Sequence, residues 1–77
     1  MARVHLRGVR YRVREAAVLG VIQQYTGEST VELRRLVEQL QEGAPVALQV
    51  EDLDAAYELA AELDGLGVNA EPDESEY

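Results

Sequence analysis

The sequence predicts an α/β fold, an α+β sandwich in which a three-stranded sheet carries three helices on one face. Two observations support this prediction: apolar and polar residues alternate in three short segments, and apolar residues recur at helical spacing in three longer ones. The predicted order is β-α-α-β-α-β. With 77 residues, 47% of them hydrophobic and 29% charged, the chain has the composition of one small globular domain with a thin core.

The first strand is predicted where residues 9–14 read V-R-Y-R-V-R, because apolar and basic residues alternate there without exception. We expect its apolar side chains to face the helices and its arginines to face the open side of the sheet. Upstream, Val4 and Leu6 alternate in the opposite phase, and Gly8 lies where the phase changes. Gly8 is therefore either a bulge in one long strand or the turn of a short hairpin.

The first helix is predicted over Glu15–Tyr25, and a second helix begins after Ser29. The apolar residues at helical spacing in the first are Val18, Val21, Ile22 and Tyr25. Gly27 follows as the expected left-handed cap. Ser29 and Glu32 have the spacing of a capping box. The apolar face of the second helix comprises Leu33, Leu36, Val37 and Leu40, and Gly43 is its expected end.

A strand, a third helix and a last strand complete the predicted domain. Val46–Val50 alternates as a strand, and Asp52 is the expected N-cap of a helix from Leu53 to about Asp64. The side chains expected to face inward on this helix are Leu53, Ala56, Tyr57, Ala60 and Leu63. Val68–Glu71 is predicted as the last strand, and Pro72 is expected to end it.

Charge is distributed asymmetrically along the chain, whose net charge is -8. Residues 1–14 contain five arginines and no acid, whereas residues 15–77 contain all 15 acids against Arg34 and Arg35. A basic end on an acidic body indicates either self-association or a basic patch for an acidic partner.

Several classes of function are excluded by what the sequence lacks. Because there is no cysteine and only one histidine, His5, the chain offers no disulfide, thiolate metal site or two-histidine site. No acid, base and nucleophile converge, so we expect no enzyme, no catalytic residue, no cofactor and no metal. No apolar run approaches the roughly 20 residues that span a bilayer, and the first residues lack a secretory signal. A cytoplasmic protein without a membrane partner is expected.

Two longer patterns carry a resemblance to a known family. Residues 16–27 read A-x-V-L-x-V-I-x-x-Y-T-G, and residues 32–38 read E-L-x-x-L-V-E. With the predicted order of elements, this resembles the C-terminal domain of the bacterial ribosomal stalk protein over about residues 4–72. The resemblance implies one stalk-C-terminal-like domain over residues 1–72, and residues 73–77 are then expected to be a mobile acidic tail.

The Clp protease adaptor that delivers substrates with destabilising N-termini is similar in fold and spacing, and G-A-P-V at residues 43–46 is similar to it. Stalk domains dock translation factors on a lysine- and arginine-rich face of the first helix and on the turn after it. The matching positions here are Glu15, Gly20, Gln23 and Ser29. In the adaptor, an acidic loop and a late histidine of the second helix bind the substrate's amine, and the matching positions here are residues 12–14 and Leu40. The resemblance therefore implies a protein-docking scaffold with different docking residues.

Our first hypothesis is a non-enzymatic protein–protein interaction module, a small adaptor or regulator of the translation or proteolysis machinery. It docks its partner through the arginine-bearing strand or the surface of the first two helices. The residues expected to contact the partner are Arg10, Arg12, Arg34, Arg35, Gln23, Thr26 and Gly27. The alternative is an RNA- or ribosome-associated protein that binds phosphate through the N-terminal arginines.

A third interpretation is that the arginines pair with acids of the same chain or of a second copy, which leaves a homodimer open. The sequence leaves the partner's identity and pathway undetermined.

Overall fold

The chain folds into a three-stranded antiparallel sheet and three helices, which confirms the predicted α+β class and the predicted order of elements. The computed structural model describes residues 2–10 and 13–73. The elements are β1 (Ala2–Val9), α1 (Glu15–Thr26), α2 (Thr30–Gln41), β2 (Val46–Val50), α3 (Leu53–Gly65) and β3 (Val68–Asp73).

The sheet has the strand order β2-β1-β3, so the N-terminal strand lies in the middle. Both neighbours of β1 run antiparallel to it, with Leu6 opposite Val46 of β2 and His5 opposite Glu71 of β3. β1 therefore has a neighbour on each side, and its backbone is not available at a sheet edge for pairing with a second copy. The edges of the described sheet are β2 and β3.

The prediction of a first strand over residues 9–14 is wrong. β1 ends at Val9, Arg10 lies in a bend, and Val13 and Arg14 precede α1 without belonging to a strand. Tyr11 and Arg12 lie outside the described residues. The alternation of residues 9–14 is only a local pattern. A strand also needs neighbouring strands to pair with, and β2 and β3 pair with residues 2–9 instead.

Gly8 belongs to a bulge in one strand and is not the turn of a hairpin. From Leu6 to Val9, β1 advances three positions while β3 advances two, from Ala70 to Val68. One residue of β1 is therefore extra, and Gly8 has a φ of 131°, a conformation that glycine adopts without the steric cost of a Cβ atom. This insertion explains why the apolar positions change phase at Gly8.

All three helices pack on one face of the sheet. On β1, Ala2, Val4 and Leu6 are buried, and the intervening Arg3 and His5 are not. β2 repeats the alternation with valines at both ends and Leu48 at its centre. Val13 and Val68 are also buried, and the helices contribute the other core residues, Val18, Ile22, Leu33, Val37, Leu40, Ala56, Leu59, Ala60 and Leu63. The core is apolar throughout the described residues.

Three of the predicted caps are confirmed, whereas α2 ends at Gln41 with Glu42 as its C-cap, one residue before the predicted Gly43. The Ser29 hydroxyl accepts a hydrogen bond from the backbone N–H of Glu32, and the Asp52 carboxylate accepts one from Ala55 at 2.8 Å. Gly27 caps α1 in the left-handed conformation, at a φ of 69°. These local signals fix where the helices begin and end.

Two predictions about the C-terminal half are wrong. Tyr57 is exposed, and Leu59 takes its place in the core, because the buried face of α3 runs through Ala56, Ala60 and Leu63. β3 continues through Pro72 to Asp73. Proline is tolerated there because β3 is an edge strand, where a missing N–H on the outer side removes no ladder hydrogen bond. The structure thus places Asp73 in the sheet, and the rest of the expected tail, residues 74–77, lies outside the described residues.

Candidate functional site

The face of the sheet opposite the helices carries a row of basic side chains on its central strand. Arg3, His5 and Arg7 alternate on β1 and are exposed or half-buried. The β2 side of this open face is neutral, with Ala47 and Gln49 exposed. The β3 side is acidic, with Glu71 and Asp73. Sequence reasoning missed Arg3 and Arg7, although their alternation with the buried residues of β1 was visible in the pattern.

The basic row is matched by acids of β3. The His5 Nε2 atom lies 2.8 Å from the Asp73 carboxylate, and the Arg7 guanidinium lies 3.1 Å from the Glu71 carboxylate. Both pairs run diagonally, because the residue directly opposite His5 is Glu71. Arg3 also has a partner. Pairing within one chain therefore occupies much of this row, as the third interpretation of the arginines expects.

Arg10 connects the bend after β1 to the end of α3. Its guanidinium lies 2.5 Å from the Asp64 carboxylate and donates to the Asn69 side chain at 3.1 Å and to the backbone carbonyl of Asp64. Its backbone N–H donates to the Gly67 carbonyl at 2.8 Å. Arg10 does not point from the open face of a strand as predicted, and its donors already have acceptors within the domain.

Three other predicted contact residues lie together in the turn between α1 and α2. The Thr26 hydroxyl donates to the Ile22 carbonyl at 3.0 Å, and the Gly27 N–H donates to the Gln23 carbonyl at 3.1 Å. The Gln23 side-chain amide donates to the Glu28 carbonyl at 3.4 Å. These bonds shape the turn and leave Gln23 and Gly27 exposed on its outside.

The two arginines of α2 are held only loosely. Arg34 lies 3.6 Å from Glu15, which begins α1, and their side chains are 63% and 41% exposed. Arg35 is exposed and makes no ion pair with any described residue, and the same holds for Arg14 just before α1. Arg14, Arg34 and Arg35 are therefore more available than Arg10 to an acidic group of another molecule.

The solvent side of α1 is almost without charge. Glu15 is the only charged residue of α1, and the exposed positions beyond it are occupied by small or neutral residues. On α2, Val31 is 72% exposed. We call these positions together the α1–α2 surface, which comprises Ala16, Gly20, Gln23 and Gln24 of α1 with Val31, Arg34 and Arg35 of α2.

The acids of α3 line the opposite flank of α1. Hydrogen bonding to Glu62, burial, and the negative charges of Glu62 and Glu58 raise the pKa of the Tyr25 hydroxyl from 10.0 to about 12. Tyr25 thus connects α1 to the acidic residues of α3. The charge-poor surface of α1 lies between these acids and Arg34 of α2.

Two features are absent from the described residues, a cluster of metal-ligating side chains and a membrane-spanning helix. No three histidine, aspartate or glutamate side chains among them gather closely enough to hold a metal ion. None of the helices in residues 13–73 is long and apolar enough to cross a membrane. Two shallow cavities, of about 240 and 290 Å³, open on the sheet face beside Arg7.

Comparison with known proteins identifies no relative: no protein-family model matches the chain, and no curated protein or solved structure is significantly similar to it. The resemblance to the stalk domain therefore stays a prediction based on the residues that carry it.

Proposed function

We propose that this protein is a non-enzymatic interaction module that docks an acidic or amphipathic segment of another protein on the α1–α2 surface. One observation carries the proposal: the exposed side of α1 is free of charge beyond Glu15, and Arg34 of the neighbouring helix lies 3.6 Å from Glu15, with Arg35 exposed next to it in the sequence. Only one of the 12 residues of α1 is charged, which is well below the 29% of charged residues in the whole chain.

This surface shares with protein interfaces a shortage of lysine and acidic residues and the presence of arginine. Interface centres are depleted in lysine, glutamate and aspartate and enriched in arginine, whose guanidinium is weakly hydrated and binds carboxylates with two parallel hydrogen bonds. Gly20 and Ala16 allow a partner to approach the helix backbone closely, and Val31 adds an exposed apolar contact. The partner contacts expected at Gln23, Thr26 and Gly27 fall at the end of the same helix.

The α1–α2 surface suits docking better than the N-terminal arginines. Arg10 binds Asp64 and Asn69, and Arg7 binds Glu71, so a partner competes there with acids of the chain itself. Arg35 has no such competitor among the described residues. We therefore place the docking function on the two helices and not on the basic row.

The charge of the chain also favours an acidic partner at this place. Residues 36–77 contain twelve acids and no arginine or lysine, whereas residues 14–35 balance three arginines against three glutamates. An acidic segment is repelled by the C-terminal half and is tolerated near Arg34 and Arg35. On the strength of the resemblance, we propose that the partner belongs to the translation or proteolysis machinery of the cytoplasm.

The proposal is tested by affinity capture from native lysate, with and without nuclease, using the wild type and two double charge reversals. We expect Arg34→Glu/Arg35→Glu to lose the partner, because it replaces the two exposed cations of α2 with acids. Arg3→Glu/Arg7→Glu is the matched control: it changes the charge equally but on the open sheet face. Circular dichroism establishes that each variant is folded.

A partner retained by the helix variant and lost by the control variant would move the docking site to the basic row and refute the proposal. Partners that disappear with nuclease, leaving RNA as the common component, would support phosphate binding instead. In that case, binding weakens steeply as salt rises, because each neutralised phosphate releases a counterion.

A further inference from the structure

β2 is an edge strand without the features that usually protect such edges. Residues 46–50 read V-A-L-Q-V, with neither charge nor proline, and within the described part of the chain β2 pairs only with β1. The other edge, β3, carries Pro72 between Glu71 and Asp73. Charges and proline on an edge strand prevent pairing with another chain, so the two edges differ in their capacity to accept a further strand.

We propose that β2 pairs antiparallel with β2 of a second copy of this chain. The product is a twofold-symmetric dimer with one continuous sheet of six strands, and Leu48 lies at the symmetry axis. The contact is isologous, because each copy contributes the same edge. The interface uses residues of β2, none of which belongs to the α1–α2 surface, and it does not depend on the docking function proposed for that surface.

The sequence of β2 suits this pairing because its apolar positions are symmetric about Leu48. With Leu48 opposite its counterpart, Val46 lies opposite Val50 of the second copy, and Ala47 lies opposite Gln49. Buried residues of one copy thus lie opposite buried residues of the other, and exposed residues lie opposite exposed ones. The helix-covered face can then continue across the interface. A shift of one residue places valines beside exposed positions and loses this match.

Charge favours the antiparallel orientation over the parallel one. Glu51 and Asp52 follow β2 directly, and in this pairing they face Pro45 and Ala44 of the second copy, which are uncharged. Parallel pairing instead places Glu51 beside its own counterpart, which is repulsive. Antiparallel pairing therefore keeps the acids that follow β2 apart from their counterparts in the second copy.

The open sheet face offers a cation to Glu51 of the second copy. Since Leu6 lies opposite Val46, Arg7 falls in the row of Pro45, which in turn faces Glu51 of the second copy. Arg7 and that Glu51 are then about 10 Å apart across two strand spacings, a distance that their two long side chains span together. Pro45 lies between them with a short side chain.

Room for this contact exists in the single chain. A shallow cavity of about 240 Å³ is lined by His5, Arg7, Pro45 and Ala47, at the place where the Glu51 carboxylate arrives. Arg7 is 66% exposed and binds Glu71 through one nitrogen, so other N–H donors of its guanidinium remain for a second carboxylate. Twofold symmetry repeats the contact at the other end of the interface.

Disulfide trapping tests the register directly, because the chain has no cysteine of its own. Ala47→Cys and Gln49→Cys are exposed substitutions that the proposed pairing sets opposite each other, at the Cα separation of about 4.5–5.5 Å that a disulfide bridges. We expect a mixture of the two single variants to form the mixed disulfide under mild oxidation. Each variant alone forms few bridges, because like positions lie diagonally, about 7–8 Å apart.

The matched control is Ala47→Cys mixed with Asn69→Cys, an exposed position on the other edge strand. Equal trapping in this mixture means random collision and overturns the proposal, as does a wild type that sediments as a monomer at every concentration. A predominance of 47–47 bridges would overturn the proposed register.

A charge swap tests the Arg7–Glu51 contact independently. We expect Arg7→Glu and Glu51→Arg each to weaken the dimer, by about tenfold in its dissociation constant for two symmetric exposed pairs. The double variant Arg7→Glu/Glu51→Arg restores it. Glu58→Arg on α3 gives the same change of net charge as Glu51→Arg and is the control for it. Failure of the double variant to recover would contradict the charge pairing.

Discussion

The hydroxyl group of Tyr25 shows how tertiary structure changes the chemistry of a single residue. Tyr25 belongs to the apolar stripe of α1, and its ring packs against the core. Its hydroxyl meets Glu62 and Glu58 of α3, which raise its pKa to about 12. The sequence places these residues more than 30 positions apart, so only the packing of α1 on α3 brings them together.

The raised pKa of Tyr25 makes the stability of the fold sensitive to alkaline pH. The native state holds the proton up to about pH 12, whereas the unfolded chain releases it near 10.0. The stabilisation is therefore complete below pH 10 and falls as the pH rises from 10 towards 12. We expect the advantage of the wild type over Tyr25→Phe in free energy of unfolding to shrink in this window.

Denaturation with urea at pH 8 and pH 11 measures this difference, and NMR titration of the tyrosine ring carbons gives the pKa itself. Glu62→Gln is expected to lower that pKa towards 10. A difference in stability between wild type and Tyr25→Phe that stays constant with pH would contradict the contact.

Among the elements, α1 is the one in which stability and the proposed docking function make opposite demands. Gly20 lies in the middle of this helix, where glycine costs about 1 kcal/mol relative to alanine. A Cβ atom built on Gly20 meets nothing within 4 Å, and the position is exposed. The fold therefore does not require glycine here, whereas the proposed docking on the α1–α2 surface would benefit from the absence of a side chain.

Substitutions of Gly20 separate these two demands. We expect Gly20→Ala and Gly20→Glu to raise the free energy of unfolding by roughly 0.5–1 kcal/mol, because both residues are better helix formers. Gly20→Glu places a charge on the α1–α2 surface and is expected to abolish capture of the partner. Gln41→Glu, which adds the same charge at the end of α2, is the control and retains binding.

Urea denaturation and the capture assay measure the two effects on the same proteins. Partner binding by Gly20→Glu at the level of the wild type would place the docking surface elsewhere. A loss of stability in Gly20→Ala would show that the glycine has a structural role that the helix geometry does not require.

At the scale of the whole molecule, Arg10 connects the first strand to the corner between α3 and β3. The contact spans 54 positions in the sequence, so it forms only when the last third of the chain has packed beside β1. Asp64, Gly67 and Asn69 all contribute acceptors to it. The basic N-terminal end and the acidic C-terminal half thus meet inside one molecule, which accounts for part of the charge asymmetry.

We expect Arg10→Ala to lower the free energy of unfolding by about 1 kcal/mol, a reduced value because both partners are partly solvated. Arg35→Ala is the control and is expected to change stability by less than about 0.5 kcal/mol. The chain has no tryptophan, so far-ultraviolet circular dichroism in urea is the suitable measurement. Equal stability of the two variants would show that the Arg10 contacts contribute nothing.

Part of the candidate site could be predicted and part could not. The turn containing Gln23, Thr26 and Gly27 was predictable, since a threonine–glycine pair after a helical stripe defines a local cap. The basic row was not, because residues 9–14 alternate as well as residues 2–7 do. Pattern alone does not decide which of the two segments finds partners on both sides.

The class, the order of elements, the N-caps of α2 and α3 and the strand β2 could be predicted from local sequence, because each depends on signals within a few residues of one another. Three features became visible only in the folded chain: β1 lies at the centre of the sheet, Gly8 is a bulge, and Tyr57 is exposed. Packing also selects which arginines bind acids: Arg7 and Arg10 do, and Arg35 does not within the described chain. These features depend on contacts between segments that are distant in the sequence. Where the local pattern is compatible with more than one structure, packing against neighbouring segments selects the one that forms.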